Sequence, residues 1–198
     1  MLDEKKRLRT LLRSQRRSLS PTEVTAQSRL IAERLRAFAP FQQAQTLVLY
    51  SADENEVQTE MIWQEAAAQG RAVYYPRLTT DRTNLEFVRR YPGDRLIPGL
   101  FGILVPPGED LLCGLRETDI VLTPGVGFDR QGHRLGRGKG YYDRAFRGVL
   151  SGALRVALAY AFQVVPQIPT TPNDERVQYL MTEAEIIDCT ATLVNSVS

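Results

Sequence analysis

The chain is short of the residues that most polar active sites use. Among 198 residues there is one histidine, His133. A Ser-His-Asp triad or a histidine-rich metal site therefore has almost no material, and catalysis should not turn on histidine. There are two cysteines, Cys113 and Cys189, far apart and outside any CxxC or CxxH spacing. That excludes a disulfide scaffold and a zinc motif, and it implies a reducing, cytoplasmic setting. No apolar run approaches the roughly 18 residues of a membrane span. The first residues are charged from Asp3 onward, with no apolar core, so they do not read as a secretory signal. Internal repeats and low-complexity tracts are missing too. A strong net charge is also lacking: 25 Lys/Arg face 23 Asp/Glu, a balance of +2. That balance does not suit a general polyanion binder, and with no aromatics interleaved in residues 1–17 it speaks against an RNA-binding module.

The basic residues are nevertheless uneven. Residues 1–17 carry seven Lys/Arg and two acids; residues 129–147 carry six and two. Two basic segments in a chain that is otherwise acidic point to a local anion site. The length suits one domain, and no composition shift marks a boundary, so residues 1–198 read as a single α/β domain.

Leu8, Leu11 and Leu12 predict an amphipathic helix over 3–17, with Lys5, Arg9 and Arg13 as a cationic stripe along one side. Such a stripe is most often a solvated face. Ser20-Pro21-Thr22-Glu23 is a capping box opening a second helix, which Pro40 should end. Strands are predicted at 46–50, 72–75, 85–88, 119–123 and 155–160, with 103–105 a candidate edge strand. Helices are predicted from Thr59 to Gln69 and from Tyr141 to Leu150. Three prolines keep 166–172 irregular. Strands alternating with helices indicate a layered α/β sheet.

The most informative stretch runs from Asp119 to Arg144. A buried strand enters a loop with six glycines between Gly125 and Gly140, and a helix follows. Glycine lets backbone N–H groups approach phosphate, and Arg134, Arg137 and Lys139 would neutralise it. The loop fits neither common nucleotide pattern: Gly140 follows Lys139 where the P-loop needs Ser or Thr, and Tyr141 stands where GxGxxG needs glycine. A phosphate cradle and a basic surface loop remain level alternatives. Tyr141 and Tyr142 can stack on a ligand ring or pack the helix. Asp143 can pair with cations or hold Mg²⁺. Asn173-Asp174 alone reads as an Asx turn, and Glu56 alone as an exposed loop acid.

The run Phe128 to Asp143 (FDRQGHRLGRGKGYYD) resembles the signature of the 5-formyltetrahydrofolate cyclo-ligase family, also called methenyltetrahydrofolate synthetases. The resemblance extends over nearly the whole chain. Lys5-x-x-Leu8-Arg9, Glu56-Val57-x-Thr59, Tyr75-Pro76-Arg77, Phe101-Gly102-Ile103, Phe162-Gln163, Pro169 and Asn173-Asp174 follow in the family's order. It implies a three-layer α/β/α sandwich on a mixed, mostly parallel sheet, similar to sugar-phosphate isomerases and CoA transferases. It implies conversion of 5-formyltetrahydrofolate, in free or polyglutamylated form, to 5,10-methenyltetrahydrofolate by a monomer that uses ATP and Mg²⁺. ATP contacts would come from Lys5, Lys6, Arg7, Leu8 and Arg9, and from Arg134, Leu135, Gly136, Arg137, Gly138, Lys139, Gly140, Tyr141 and Tyr142. Tyr50, Glu56 and Arg137 to Tyr141 would border the folate, and Asp143 and Asp174 would hold the metal. Arg137, Lys139 and Glu56 would carry the catalysis. One departure is plain: the family's usual Val-Asp after the Asn-Asp pair is here Val177-Gln178.

Overall fold

The computed structural model describes residues 2–191. The helices are α1 (Leu2–Arg17), α2 (Pro21–Arg36), α3 (Ala39–Gln43), α4 (Glu60–Ala68) and α5 (Tyr141–Arg147). The strands are β1 (Thr46–Val48), β2 (Ala72–Leu78), β3 (Leu85–Arg89), β4 (Ile97–Pro98), β5 (Leu104–Val105), β6 (Ile120–Thr123), β7 (Gly127–Phe128), β8 (Arg134–Leu135), β9 (Leu154–Leu158), β10 (Tyr179–Met181) and β11 (Ile186–Asp188).

Seven strands form one sheet in the order β11-β10-β9-β6-β1-β2-β3. The five inner strands are parallel; β3 and β11 close the edges antiparallel. Thr46 to Tyr50 has no polar alternation because both faces are covered. Leu47 and Leu49 face the Ile31, Leu35 and Ile62 side, under α2, α3 and α4. Val48 and Val121 face the opposite side, against Phe146 of α5. The period of two along β1 thus separates two helical layers around one sheet. Each fully buried Leu or Ile here contributes about 1.5–3 kcal/mol.

Local chemistry sets the element ends. Glu23 N–H donates to Ser20 Oγ at 3.3 Å, and Ser20 N–H donates to Glu23 Oε2 at 2.8 Å, which completes the predicted capping box. Pro40 does more than stop α2: it lies in the first turn of the short α3, where its missing N–H costs nothing. Thr59 occupies the cap position of α4, but its hydroxyl donates to the Tyr50 carbonyl at 2.6 Å instead of capping.

Four expectations need correction. Leu11 is 55% exposed; the inward face of α1 carries Lys5, Leu12 and Arg16. Leu104–Val105 pairs with Ile97–Pro98 as a separate small sheet, not as an edge of the main one. The glycine-rich segment is a hairpin, with β7 and β8 antiparallel. The predicted strands stop at 155–160, but the short β10 and β11 follow and extend the sheet.

The sheet order places a crevice. From β1 the chain crosses through α4 to β2 on one side, while β6 lies on the other. The carboxyl ends of β1 and β6 therefore meet where the strand order reverses, the usual location of a ligand site in such sheets.

Candidate active site

A cavity of about 600 Å³ opens at that crevice. Its floor is Tyr50, Glu56, Pro124 and Gly125, at the ends of β1 and β6. One wall is the β8–α5 loop from Arg134 to Asp143; another is the first half of α1, through Lys5 and Arg9. Leu100, Ile103 and Val105 form an apolar side near the small β4–β5 sheet.

The two basic segments meet here. Arg9 Nε donates to the Gly136 carbonyl at 2.8 Å, so α1 lies directly against the glycine-rich loop. The Lys5/Arg9 stripe is thus the inward edge of α1, not a solvated face. Gly138 has φ +103°, and a Cβ there would sit 3.6 Å from the Arg9 guanidinium. That backbone conformation strains any other residue.

The charges are only partly matched. Lys5 Nζ is 2.5 Å from Asp174 Oδ2, and Arg134 Nη2 is 3.3 Å from Asp143 Oδ1. Arg137 bridges Asp53 at 2.9 Å and Glu56 at 3.1 Å. Arg9 and Lys139 make no salt bridge among the described residues. The buried Tyr142 hydroxyl and Arg134 Nε have no hydrogen-bond partner among the described residues, and both residues line the cavity. Orphaned donors beside unmatched cations fit a polyanionic ligand.

Glu56 is buried, with 7% exposure, so it is not the ordinary loop acid its sequence suggested. Burial pushes its carboxyl pKa up, while Arg16 and then Arg137 pull it back. Tyr50 is buried and donates its hydroxyl to the Val57 carbonyl at 2.9 Å; burial and the nearby Glu56 hold its phenol well above the ordinary range.

The sequence model of the 5-formyltetrahydrofolate cyclo-ligase family matches residues 2–183. The chain belongs to the 5-formyltetrahydrofolate cyclo-ligase family. The mouse 5-formyltetrahydrofolate cyclo-ligase is 31% identical over 189 residues, covering 90% of this chain and 93% of that protein. The Haemophilus influenzae cyclo-ligase is 30% identical over 170 residues, covering 84% and 91%. The solved structure of Aquifex aeolicus 5,10-methenyltetrahydrofolate synthetase superposes with a TM-score of 0.81 at 29% identity, covering 93% of this chain and 92% of that one.

Within the cavity, most of the expected residues converge. Lys5, Arg9, Tyr50, Glu56, Arg134 to Tyr142, Asp143 and Asp174 all line one cavity. Lys6 and Arg7 do not: they are exposed and lie along the outer groove of α1 with Leu11. Leu8 packs with Leu12 and Leu135 under the loop, not in the cavity. Asp174 accepts the Thr171 N–H at 2.7 Å through the oxygen that faces Lys5, a backward contact and not the Asx turn expected. Gln178 accepts the Arg155 N–H at 2.9 Å at the start of β9 and lies outside the cavity lining. Sequence reasoning missed Asp53, which holds Arg137, and Arg16, which lies beneath the floor. Spacing could have found Arg16: positions 5, 9, 12 and 16 fall on one helical face.

Proposed function

We propose that this cleft binds ATP and 5-formyltetrahydrofolate side by side and converts the folate to 5,10-methenyltetrahydrofolate, releasing ADP and phosphate. The observation that carries the reading is the Arg9–Gly136 contact, which brings both basic segments onto one cavity. The formyl oxygen attacks the γ-phosphorus and ADP leaves. The N10 lone pair then attacks the activated formyl carbon, the phosphate departs with the former formyl oxygen, and N10 gives up its proton. Phosphoryl transfer depends on position and charge neutralisation more than on a covalent side chain, which suits a chain with one histidine.

Lys5, Arg9, Arg137 and Lys139 supply the positive charge around the phosphates. Tyr50 and Glu56 border the folate, and Arg137 stands between Glu56 and the loop. The apolar side at Leu100, Ile103 and Val105 offers apolar contact for a ring system. Mg²⁺ would supply further neutralisation of phosphate charge. Asp143 and Asp174 are the residues to hold it: both line the cavity, and Glu175 N–H donates to Asp143 Oδ1 at 3.2 Å, which keeps the two positions adjacent. No cluster of three His, Cys, Asp or Glu exists among the described residues. Two carboxylates completed by phosphate oxygens and water suit Mg²⁺, which rarely uses an all-protein cage. The reading has the chain work as one unit over residues 1–198, as a monomer in the cytoplasm, where the free thiols of Cys113 and Cys189 are at home.

The test is near-UV absorbance of methenyltetrahydrofolate during incubation with 5-formyltetrahydrofolate, Mg²⁺ and ATP. Product should require both ATP and divalent metal, and chelation should stop it. Turnover that is indifferent to ATP would point instead to isomerase or transferase chemistry on the same fold.

A further inference from the structure

Arg16 lines no part of the cavity, yet it reaches two residues of its floor, Gly125 and Glu56, and the loop residue Glu54 beside them. Its side chain is 1% exposed, and an interior guanidinium persists only where acceptors surround it. Nε donates to the Glu54 carbonyl at 2.9 Å, and Nη1 donates to the Gly125 carbonyl at 3.2 Å. Nη1 also lies 3.4 Å from Glu56 Oε1, and Nη2 lies 3.6 Å from Glu54 Oε2. The backbone at the end of α1 and just beyond it joins in: Asn55 Nδ2 donates to the carbonyls of Arg16 at 3.2 Å and Leu19 at 2.9 Å. The loop so held is unusual, because Glu54 and Asn55 have φ of 48° and 59°. Two consecutive non-glycine residues in the left-handed region need external support.

We propose that Arg16 is a positioning residue for the folate side of the cleft. It bolts the 53–56 loop, at the end of β1, to Gly125, at the end of β6, and thereby sets the Glu56 carboxylate towards Arg137 and the substrate. The inference rests on the reading of Glu56 as a folate contact. Arg13 and Arg17 also bind Glu54, but from the outer side of the loop, and neither makes a salt bridge to Glu56 among the described residues. Arg137 approaches Glu56 from the cavity, where a ligand competes for it. Among the described residues Arg16 is the one cation that holds Glu56 from below. A planar fork serves acceptors in several directions, which a lysine ammonium on its flexible stem does not reproduce.

The electrostatic consequence follows from the groups around Glu56. Arg16 faces it from α1, Arg137 from the glycine-rich loop and the Asp53 N–H from its own loop. The phenols of Tyr50, Tyr142 and Tyr160 lie near enough to feel its charge. Burial favours the protonated acid, and Arg16 is the foremost group opposing burial. Loss of Arg16 therefore favours neutral Glu56 and moves the acidic limb of the rate profile to higher pH.

The experiment compares Arg16→Gln, Arg16→Lys, Glu56→Gln and the Arg16→Gln/Glu56→Gln double variant. It uses steady-state kinetics with each substrate varied, pH profiles and thermal unfolding. Arg16→Gln should raise the KM for 5-formyltetrahydrofolate about tenfold, the scale of one lost charge-assisted contact, and leave the KM for ATP within about twofold. Its acidic limb should move up, and the double variant should be little worse than Glu56→Gln alone. Arg16→Lys, which keeps the charge but not the fork, should show a smaller loss on the folate side only. If Arg16→Gln does not fold, Arg16→Lys carries the test, and a wild-type folate KM there overturns the proposal. Equal losses for both substrates, or full additivity in the double variant, also overturn it. If Glu56→Gln alone keeps a wild-type folate KM, the underlying reading fails and the proposal falls with it. If Glu56→Gln weakens folate and Arg16→Gln does not, the proposal alone fails.

Discussion

Lys5 Nζ lies 2.5 Å from Asp174 Oδ2, across 169 positions of sequence. The pair ties the first turn of α1 to the irregular loop before β10. Burial pushes the Asp174 carboxyl up, but Lys5 and the Thr171 N–H outweigh it and its pKa falls below the ordinary value. In the proposed reaction these two groups separate in role, one facing phosphate and the other metal. Lys5→Met should therefore cut kcat/KM for ATP by about 10- to 100-fold, the scale of one charge-assisted contact of about 1.5–3 kcal/mol. The KM for folate should barely change. Steady-state kinetics with each substrate varied in turn would decide it, and an equal loss on both sides would contradict the phosphate role.

Lys139 offers a cleaner separation of activity from stability. It is exposed at the cavity rim and makes no salt bridge among the described residues. Removing it should leave the fold intact, with a change within about 0.5 kcal/mol. Charge at the transferring phosphoryl group is worth far more, so kcat for Lys139→Ala should fall by about 100-fold or more. Chemical denaturation alongside single-turnover rates measures both halves. Near-normal rates would remove Lys139 from the phosphate site.

The legibility of this chain depends on how local each feature is. The capping box at Ser20 and the buried run at 46–50 are short-range patterns, and both were readable. Strands β10 and β11 were not, because each spans only three residues and is defined by its neighbours more than by its own alternation. The hairpin β7–β8 hides for the same reason, with two residues a side. The glycine-rich loop and the N-terminal cations were legible as chemistry, but their meeting is a tertiary fact. Arg16 looked like one more arginine among seven basic residues in the first helix. Its spacing puts it on the same helical face as Lys5 and Leu12, but the 53–56 loop whose acceptors hold it there lies outside α1. Glu56 was misjudged on its own for the same reason: the groups that bury it come from distant segments.

Gly132 shows how tightly the hairpin is pinned to the C-terminal strands. Its φ is +83°, and a Cβ there would stand 2.2 Å from the Val177 carbonyl oxygen and 2.9 Å from Cys189 Cβ. Val177 N–H also donates to the Gly132 carbonyl at 2.9 Å. The nearest obstacle is backbone, so it cannot swing aside. Gly132→Ala should destabilise the protein by about 2–4 kcal/mol, from overpacking together with left-handed strain. Urea unfolding gives the number directly; a change below about 0.5 kcal/mol, the level of a neutral surface substitution, would mean the turn is far more pliable than its contacts imply.

Glu54 predicts where acid should loosen the molecule. Its carboxylate binds Arg13 at 2.6 Å and also pairs with Arg17. The Arg13 hydrogen bonds, aided by Arg17, outweigh partial burial and lower its pKa from 4.5 to about 2. Between those values the unfolded chain holds more protons than the folded one, so stability rises with pH. The contribution is complete above about pH 4.5 and fades as pH falls towards 2. Replacing Glu54 with Gln should lower stability by about 1–3 kcal/mol at pH 7, the range for hydrogen bonds to charged groups. The gap from wild type should then narrow steadily as the pH is lowered below 4.5. Urea unfolding of both proteins at a series of pH values tests this, since a gap that stays constant down the series would show that the tether does not act through the Glu54 charge.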